Sequence, residues 1–209
     1  AILTGSGDRI FCAGADLKER NGMTDAQWMA QHALFEQMIM AEMDCPVPII
    51  AAINGAAYAG GFEMTLGCDF VYAAKHARFA LTEVTLGIMP GACGTQNLPR
   101  AVGLRRAKEI ILTGTPISAE EAYEYGIVNK LCEGESLLDE ALATAQRICD
   151  NAPISIRQAK KSMNMSQNVD LKSGYMFELE AYNRMVTTED RVEGILAYNE
   201  KRKANFQGK

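Results

Sequence analysis

What most constrains the fold of this chain is a change of pattern near residue 135. Before it, short apolar runs alternate with helical segments across Gly-rich junctions; after it, every segment repeats with helical spacing. The first pattern is that of an α/β core, and the second that of an added helical layer or a region for self-association. We therefore divide the chain into an α/β core, residues 1–135, and a helical oligomerisation region, residues 136–209. Strands are expected over residues 1–4, 48–54, 69–74, 78–81 and 126–131. Helices are expected over 25–43, 60–68, 95–102 and 104–113. In the tail they are expected over 137–151, 154–167, 171–187 and 189–203. Thr24 with Gln27 and Ser118 with Glu121 have the spacing of capping boxes. Pro46 and Pro48 stop the helix before them. Ala1–Thr4 reads as a buried strand fragment rather than a signal peptide. A chain that opens in mid-sheet is expected to have an upstream segment.

Composition removes several classes of function. The 209 residues are 48% hydrophobic and 22% charged, which is ordinary globular composition. Lys and Arg total 21 against 26 Asp and Glu, a net charge of −5 that disfavours nucleic acid and anionic membrane as partners. No apolar run approaches the roughly 20 residues of a membrane span. Six cysteines, at 12, 45, 68, 93, 132 and 149, form no C-x-x-C pair, which excludes a zinc ribbon and a thioredoxin-type motif. They read as buried, reduced thiols in a cytoplasmic-type compartment. With only His32 and His76, no metal site is expected.

Nucleotide-binding loops are absent. Gly5-Ser6-Gly7 lacks the further glycine of a dinucleotide fingerprint, because Ile10 stands there. Gly55 to Gly60 has P-loop spacing, but Gly61 occupies the lysine position. No G-x-S-x-G elbow occurs. Two segments carry more: Phe11-Cys12-Ala13-Gly14-Ala15-Asp16-Leu17-Lys18-Glu19 and Ile53-Asn54-Gly55-Ala56-Ala57-Tyr58-Ala59-Gly60-Gly61-Phe62-Glu63. Each places small residues at a strand-to-helix junction, where backbone N–H groups are unpaired and the helix dipole is positive. Two such junctions brought together would make an oxyanion hole; separately they are ordinary turns. Glu63 follows the second junction in the first turn of a helix. Glu83 is flanked by apolar residues at a strand end, where burial would perturb its protonation. Two such carboxylates in one pocket could divide acid and base work, and apart each is a routine surface or dipole-paired glutamate. In the helix over 25–43, Trp28, Phe35, Met38 and Ile39 share a face, and five of eleven methionines lie between 23 and 43. That is either a plain amphipathic face or an adaptable pocket wall.

Read together, these segments resemble the crotonase superfamily, and in particular the enoyl-CoA hydratases. The resemblance runs through Phe11–Lys18, Pro48–Gly55, Ala59–Glu63, Gly87–Gly91, Gly94-Thr95-Gln96, Leu112–Gly114, Ala122–Val128 and Glu200–Phe206. It implies a spiral core of repeated strand-strand-helix units with C-terminal helices that pack in a trimer or dimer of trimers. It implies an acyl-CoA thioester substrate, with coenzyme A part of the substrate and no other cofactor. By motif match, the Ala15 and Gly60 N–H groups hold the thioester oxygen, and Glu63 and Glu83 are the catalytic pair. We assign Glu63 to the attacking water and Glu83 to the α-proton. Ala13, Asp16, Leu17 and Lys18 match the segment beside coenzyme A, and Gly91 a loop glycine near the water. Gly61 and Pro90 fall within matched segments and are counted with the substrate contacts. Lys18 and Lys201 could meet the phosphates, or serve as solvated helix-end charges.

Three positions depart from the resemblance: Ala59, where a third glycine is common; Cys93, where glycine is usual; and Asn97, in place of an arginine. Ala59 reads as a small change, Cys93 as crowding the water loop or packing behind it, and Asn97 as the loss of an ion pair. The expected reaction is hydration of 2-trans-enoyl-CoA in fatty-acid or branched-chain catabolism, in the cytoplasm or the mitochondrial matrix. The alternatives are another acyl-CoA lyase or isomerase, including a methylglutaconyl-CoA hydratase, and an RNA-binding or non-catalytic relative. A methylglutaconyl group would need a basic partner in the pocket, and within 53–94 only Lys75 and Arg78 are available.

Overall fold

Eight short strands form two four-stranded sheets in the structure, a computed structural model that describes residues 1–209. They are β1 Ile2–Thr4, β2 Ile10–Cys12, β3 Ile50–Ile53, β4 Ala56–Tyr58, β5 Phe70–Ala74, β6 Arg78–Ala80, β7 Ile117–Ser118 and β8 Lys130–Cys132. One sheet runs β1-β3-β5-β8, parallel throughout. The other runs β2-β4-β6-β7, with β7 antiparallel to β6. The chain thus visits the first sheet, then the second, then a helix, and repeats. After β2 come α1 Leu17–Arg20 and α2 Asp25–Met43; after β4 comes α3 Gly60–Gly67. After β6 come a 3₁₀ turn, Glu83–Leu86, and then α4 Gly94–Val102 and α5 Leu104–Thr113. This is the crotonase spiral.

The sequence explains this arrangement locally. All four residues of β3 are buried, as expected for a parallel strand covered on both faces. Phe62 of α3 packs on Phe79 of β6 with ring centroids 5.3 Å apart. The step from β3 to β4 is fastened by buried Asn54. Its Oδ1 accepts from Gly5 N at 2.9 Å, and its Nδ2 donates to Gly7 O at 2.9 Å and Ile10 O at 3.3 Å. One amide thereby binds the β1–β2 turn to the β3–β4 turn.

Some boundaries differ from expectation. β2 and β4 are only three residues each, too short to show an alternation, so they lie outside the strands expected from the sequence. The strand expected over 126–131 is only Lys130–Cys132. Residues 126–128 instead close α6, Ala119–Glu124: Gly126 takes φ +85, and the Ile127 and Val128 N–H groups both donate to Ala122 O. The capping boxes at Thr24 and Ser118 both form. The cysteines are not uniformly buried. Only Cys132 is; Cys149 is exposed, the other four are half-buried, and none forms a disulfide.

The chain divides into two compact units, residues 1–45 with 49–142 and residues 46–48 with 143–209. The sheets and helices up to α6 lie in the first, and α7, Leu137–Cys149, crosses the boundary. The second holds α8 Pro153–Ser166, α9 Leu171–Val186 and α10 Glu189–Asn199. Helix α10 stops short of 203 because Lys201 takes a left-handed φ of +55, and the Lys201 and Arg202 N–H groups fold back to Tyr198 O and Ala197 O. Buried Asp190 then clasps the C-terminal segment: Oδ1 accepts from Gln207 N at 2.7 Å and Oδ2 from Gly208 N at 2.8 Å.

Candidate active site

A cavity of about 390 Å³ opens in the first unit. Its floor is the pair of junctions singled out in the sequence: Ala13 and Ala15 after β2, Ala59 and Gly60 after β4. The two are in contact. A Cβ added to Gly14, which has φ +88, would lie 2.9 Å from Ala59 Cβ and 3.1 Å from Gly60 N. The Phe62 and Glu63 N–H groups both turn back to Ala59 O, so the Gly60 N–H belongs to the unpaired start of α3. Neither it nor the Ala15 N–H donates a hydrogen bond within the protein. Both line the cavity. Ala59 is not a small change: it sits at φ 49, ψ −126, a backbone region open essentially to glycine, which costs on the order of 1–3 kcal/mol.

Glu63 projects from the first turn of α3 and is only 3% exposed. Its Oε1 accepts from Ala92 N at 2.8 Å and Gly94 N at 2.9 Å, at the N-terminus of α4. Burial raises its pKa; the Gly94 and Ala92 donors, His32 and the Gly91 N–H pull the other way. The clasp depends on a tight loop. A Cβ on Gly94 would meet Glu63 Oε1 at 2.8 Å, and Cys93 takes φ +71 to aim the N–H groups on either side of it. Cys93 does not line the cavity; its departure from glycine is felt in the backbone.

Glu83 opens the 3₁₀ turn rather than ending a strand. It is 6% exposed, and neither carboxyl oxygen has a hydrogen-bond partner. Burial pushes its pKa up to about 7; its own N–H opposes this, and the charge of Glu63 adds to it. The site therefore pairs an anchored carboxylate with an unanchored, proton-holding carboxyl group. Burial raises both, and only Glu63 has backbone donors from the Ala92–Gly94 loop to oppose it, which suits Glu63 to the base role and Glu83 to the acid role.

The remaining wall comes from α1, α2 and the loop after the 3₁₀ turn. Leu17, Trp28, Phe35, Ile88 and Met89 make it largely apolar. Arg20 also lines it, with Cζ 4.3 Å from the Trp28 ring centroid and Nε donating to Gln31 Oε1 at 2.7 Å. His32 stands beside Gly91, with Nδ1 2.8 Å from Glu36 Oε1.

Of the residues named from sequence, Ala13, Ala15, Leu17, Gly60, Glu63, Glu83 and Gly91 line the cavity. Asp16, Lys18, Gly61, Pro90 and Lys201 do not. Asp16 caps α1 by accepting from Lys18 N, and the Lys18 side chain is exposed. Gly61 is buried where a Cβ would fall 2.1 Å from Cys12 O, so its place is a packing requirement. Pro90 is fully buried, and Lys201 is an exposed helix-terminating residue of the second unit. The methionines between 23 and 43 are not the pocket wall. Trp28, His32 and Phe35 are, at spacings of four and three along one face of α2. The spacing is legible in the sequence, but His32 interrupts the apolar stripe and so carries no hydrophobic signal of its own. No three His, Cys, Asp or Glu side chains come together as a metal site. No helix is long and apolar enough to cross a membrane.

The sequence profile of the enoyl-CoA hydratase/isomerase family matches residues 1–209. The solved structure of an enoyl-CoA hydratase from Bacillus anthracis superposes with a TM-score of 0.98 at 46% identity, covering 100% of this chain and 81% of that one. The mitochondrial enoyl-CoA hydratase of Pongo abelii is 41% identical over 206 residues, 99% of this chain and 70% of the relative. The crotonyl-CoA hydratase of Syntrophomonas wolfei is 39% identical over 208 residues, 100% of this chain and 80% of the relative. From its fold, its matched sequence and these relatives, the chain belongs to the enoyl-CoA hydratase/isomerase family.

Proposed function

We propose that this protein hydrates 2-trans-enoyl-CoA thioesters to 3-hydroxyacyl-CoA, in the catabolism of fatty or branched acyl groups. The observation that carries this reading is the contrast between the two buried glutamates over one cavity floored by unpaired N–H groups. In the proposed reaction the thioester oxygen accepts from the Ala15 and Gly60 N–H groups. Glu63 takes a proton from water as the water oxygen bonds to C3. The C2–C3 π electrons move toward the thioester oxygen, where the two N–H groups stabilise the charge. Collapse of this enolate draws the Glu83 proton onto C2. Proton exchange with solvent then restores both carboxyls. Loss of one oxyanion donor typically costs about 10²–10³ in rate, and loss of an acid or base about 10²–10⁴.

The test is crotonyl-CoA hydration, followed by loss of the enoyl-thioester absorbance. Turnover by the wild type that falls by at least about 10² in Glu63→Gln, with thioester affinity retained, supports the reading. Full activity in that variant, or no turnover of short, long or branched enoyl-CoAs by the wild type, refutes it. Coenzyme A enters as part of the substrate, with no other cofactor needed for these steps. We further propose self-association as a trimer or a dimer of trimers through the second unit, where Leu171 is 91% and Tyr198 85% exposed. A cytoplasmic or mitochondrial-matrix setting fits this chemistry.

One observation favours a second acyl preference. Lys75 is paired with Glu133, Arg78 is exposed, and neither lines the cavity. Arg20 does, and forms no ion pair with a carboxylate. An acyl chain ending in a second carboxylate, as in methylglutaconyl-CoA, would find a cation there. Including that thioester in the panel, with Arg20→Gln beside the wild type, decides between the two preferences.

A further inference from the structure

We propose that His32, braced by Glu36, is a positioning residue that seats the loop clasping Glu63. This rests on the reading of Glu63 as the base. His32 and Glu36 lie one helical turn apart on α2, with Nδ1 2.8 Å from Glu36 Oε1. A carboxylate only accepts, so Nδ1 carries the proton and Nε2 is turned toward the cavity. There Nε2 meets the bare backbone of Gly91: a Cβ on Gly91 would lie 2.6 Å from it. Gly91 leads directly into the Ala92 and Gly94 N–H groups that grip Glu63 Oε1. The imidazole is thus packed against the one loop that orients the base, and its charge also acts on Glu63.

The charged and titratable groups around Glu63 come from three elements. His32 faces it from α2 and favours its anion; Glu83 faces it from the 3₁₀ turn and, when ionised, opposes it. Arg20 stands on the α1 wall, and Glu36 backs His32 from the outer side. Losing the imidazole frees the Gly91 loop, weakens the grip of the Ala92 and Gly94 N–H groups on Glu63, and so makes Glu63 easier to protonate.

The test reads Glu63 directly, without requiring turnover. Carbon NMR of protein labelled at the glutamate carboxyl carbons is titrated for the unliganded wild type, His32→Phe and His32→Gln. The Glu63 resonance is assigned by its loss in Glu63→Gln. The Glu63 midpoint is expected to rise by about half a pH unit or more in either folded variant. A rise below about 0.3 unit in both overturns the proposal. For hydration, the expected signature is a kcat loss of roughly threefold or more at pH 6 that shrinks by pH 8, with KM unchanged. A loss equal at both pH values would mean a general structural role and would overturn the proposal. Should the wild type hydrate no enoyl-CoA, the functional reading fails while the titration still decides the role of His32.

Discussion

Replacing Glu83 by Gln tests the most unusual feature of the site, a buried carboxyl with no hydrogen-bond partner on either oxygen. The folded protein holds its proton until about pH 7, against an ordinary value of 4.5. The unfolded chain binds fewer protons than the folded one across that interval, so this group lowers stability as pH rises from 4.5 to about 7, and adds no further change above it. At 1.36 kcal/mol per pH unit the full effect is about 3 kcal/mol, and solvent entering the cavity reduces it to about 2. Gln keeps the shape and cannot ionise. Its amide adds its own desolvation cost, on the order of 1–3 kcal/mol, but that cost is independent of pH. The readout is therefore the difference between variant and wild type, not either melting temperature alone. Paired thermal melts at equal protein concentration, from about pH 4.5 to pH 8, should show the variant gaining several degrees relative to wild type as pH rises. The same variant should lose about 10²–10⁴ in hydration at pH 6, where wild-type Glu83 holds its proton. A stability difference that stays flat across this range would refute the reasoning, because it would mean that Glu83 ionises as an ordinary exposed carboxyl.

In the wild type, hydration should decline as pH rises through about 7, as Glu83 loses the proton it must deliver; a pH–rate profile for kcat/KM on the free enzyme checks this. Ala59→Gly should raise the melting temperature by about 2–4 °C, because φ 49, ψ −126 strains alanine and not glycine. No gain would show that the junction is unstrained. Asp190→Ala should cost about 2–4 kcal/mol in chemical denaturation, since it strands the Gln207 and Gly208 N–H groups. It should also expose residues after Arg202 to limited proteolysis, and an unaltered cleavage pattern would count against the clasp.

Much of the local structure was legible because it arises between residues a few positions apart. Thr24 with Gln27 and Ser118 with Glu121 mark helix starts through their own backbone contacts. The apolar run before Asn54 is long enough to declare a buried strand. The three-residue strands β2 and β4 were not legible, because they hold their shape only by pairing with neighbouring strands of their sheet. The structure departs from the expected helix and strand ends at Lys201 and residues 126–128 for a related reason. Helix ends are decided by which carbonyl a free N–H can reach, and periodicity does not report that. Likewise, α2 shows its apolar face in sequence, yet which residues of that face border a cavity depends on what packs opposite.

By itself, the sequence determined the α/β core, the helical tail, the two small-residue junctions and the two candidate glutamates. The core, the tail and the junctions follow from residue type and short-range spacing, while the two glutamates stood out as a pair only through the family resemblance. Only the tertiary structure decided that both junctions floor one cavity, that Glu63 is clasped by the Ala92 and Gly94 N–H groups, and that Glu83 is left without a partner. It alone placed His32 against Gly91, and set Ala59 and Cys93 in left-handed backbone. The physical reason is that protonation state and N–H availability are set by burial and by groups distant in sequence, which meet only when the strands have paired.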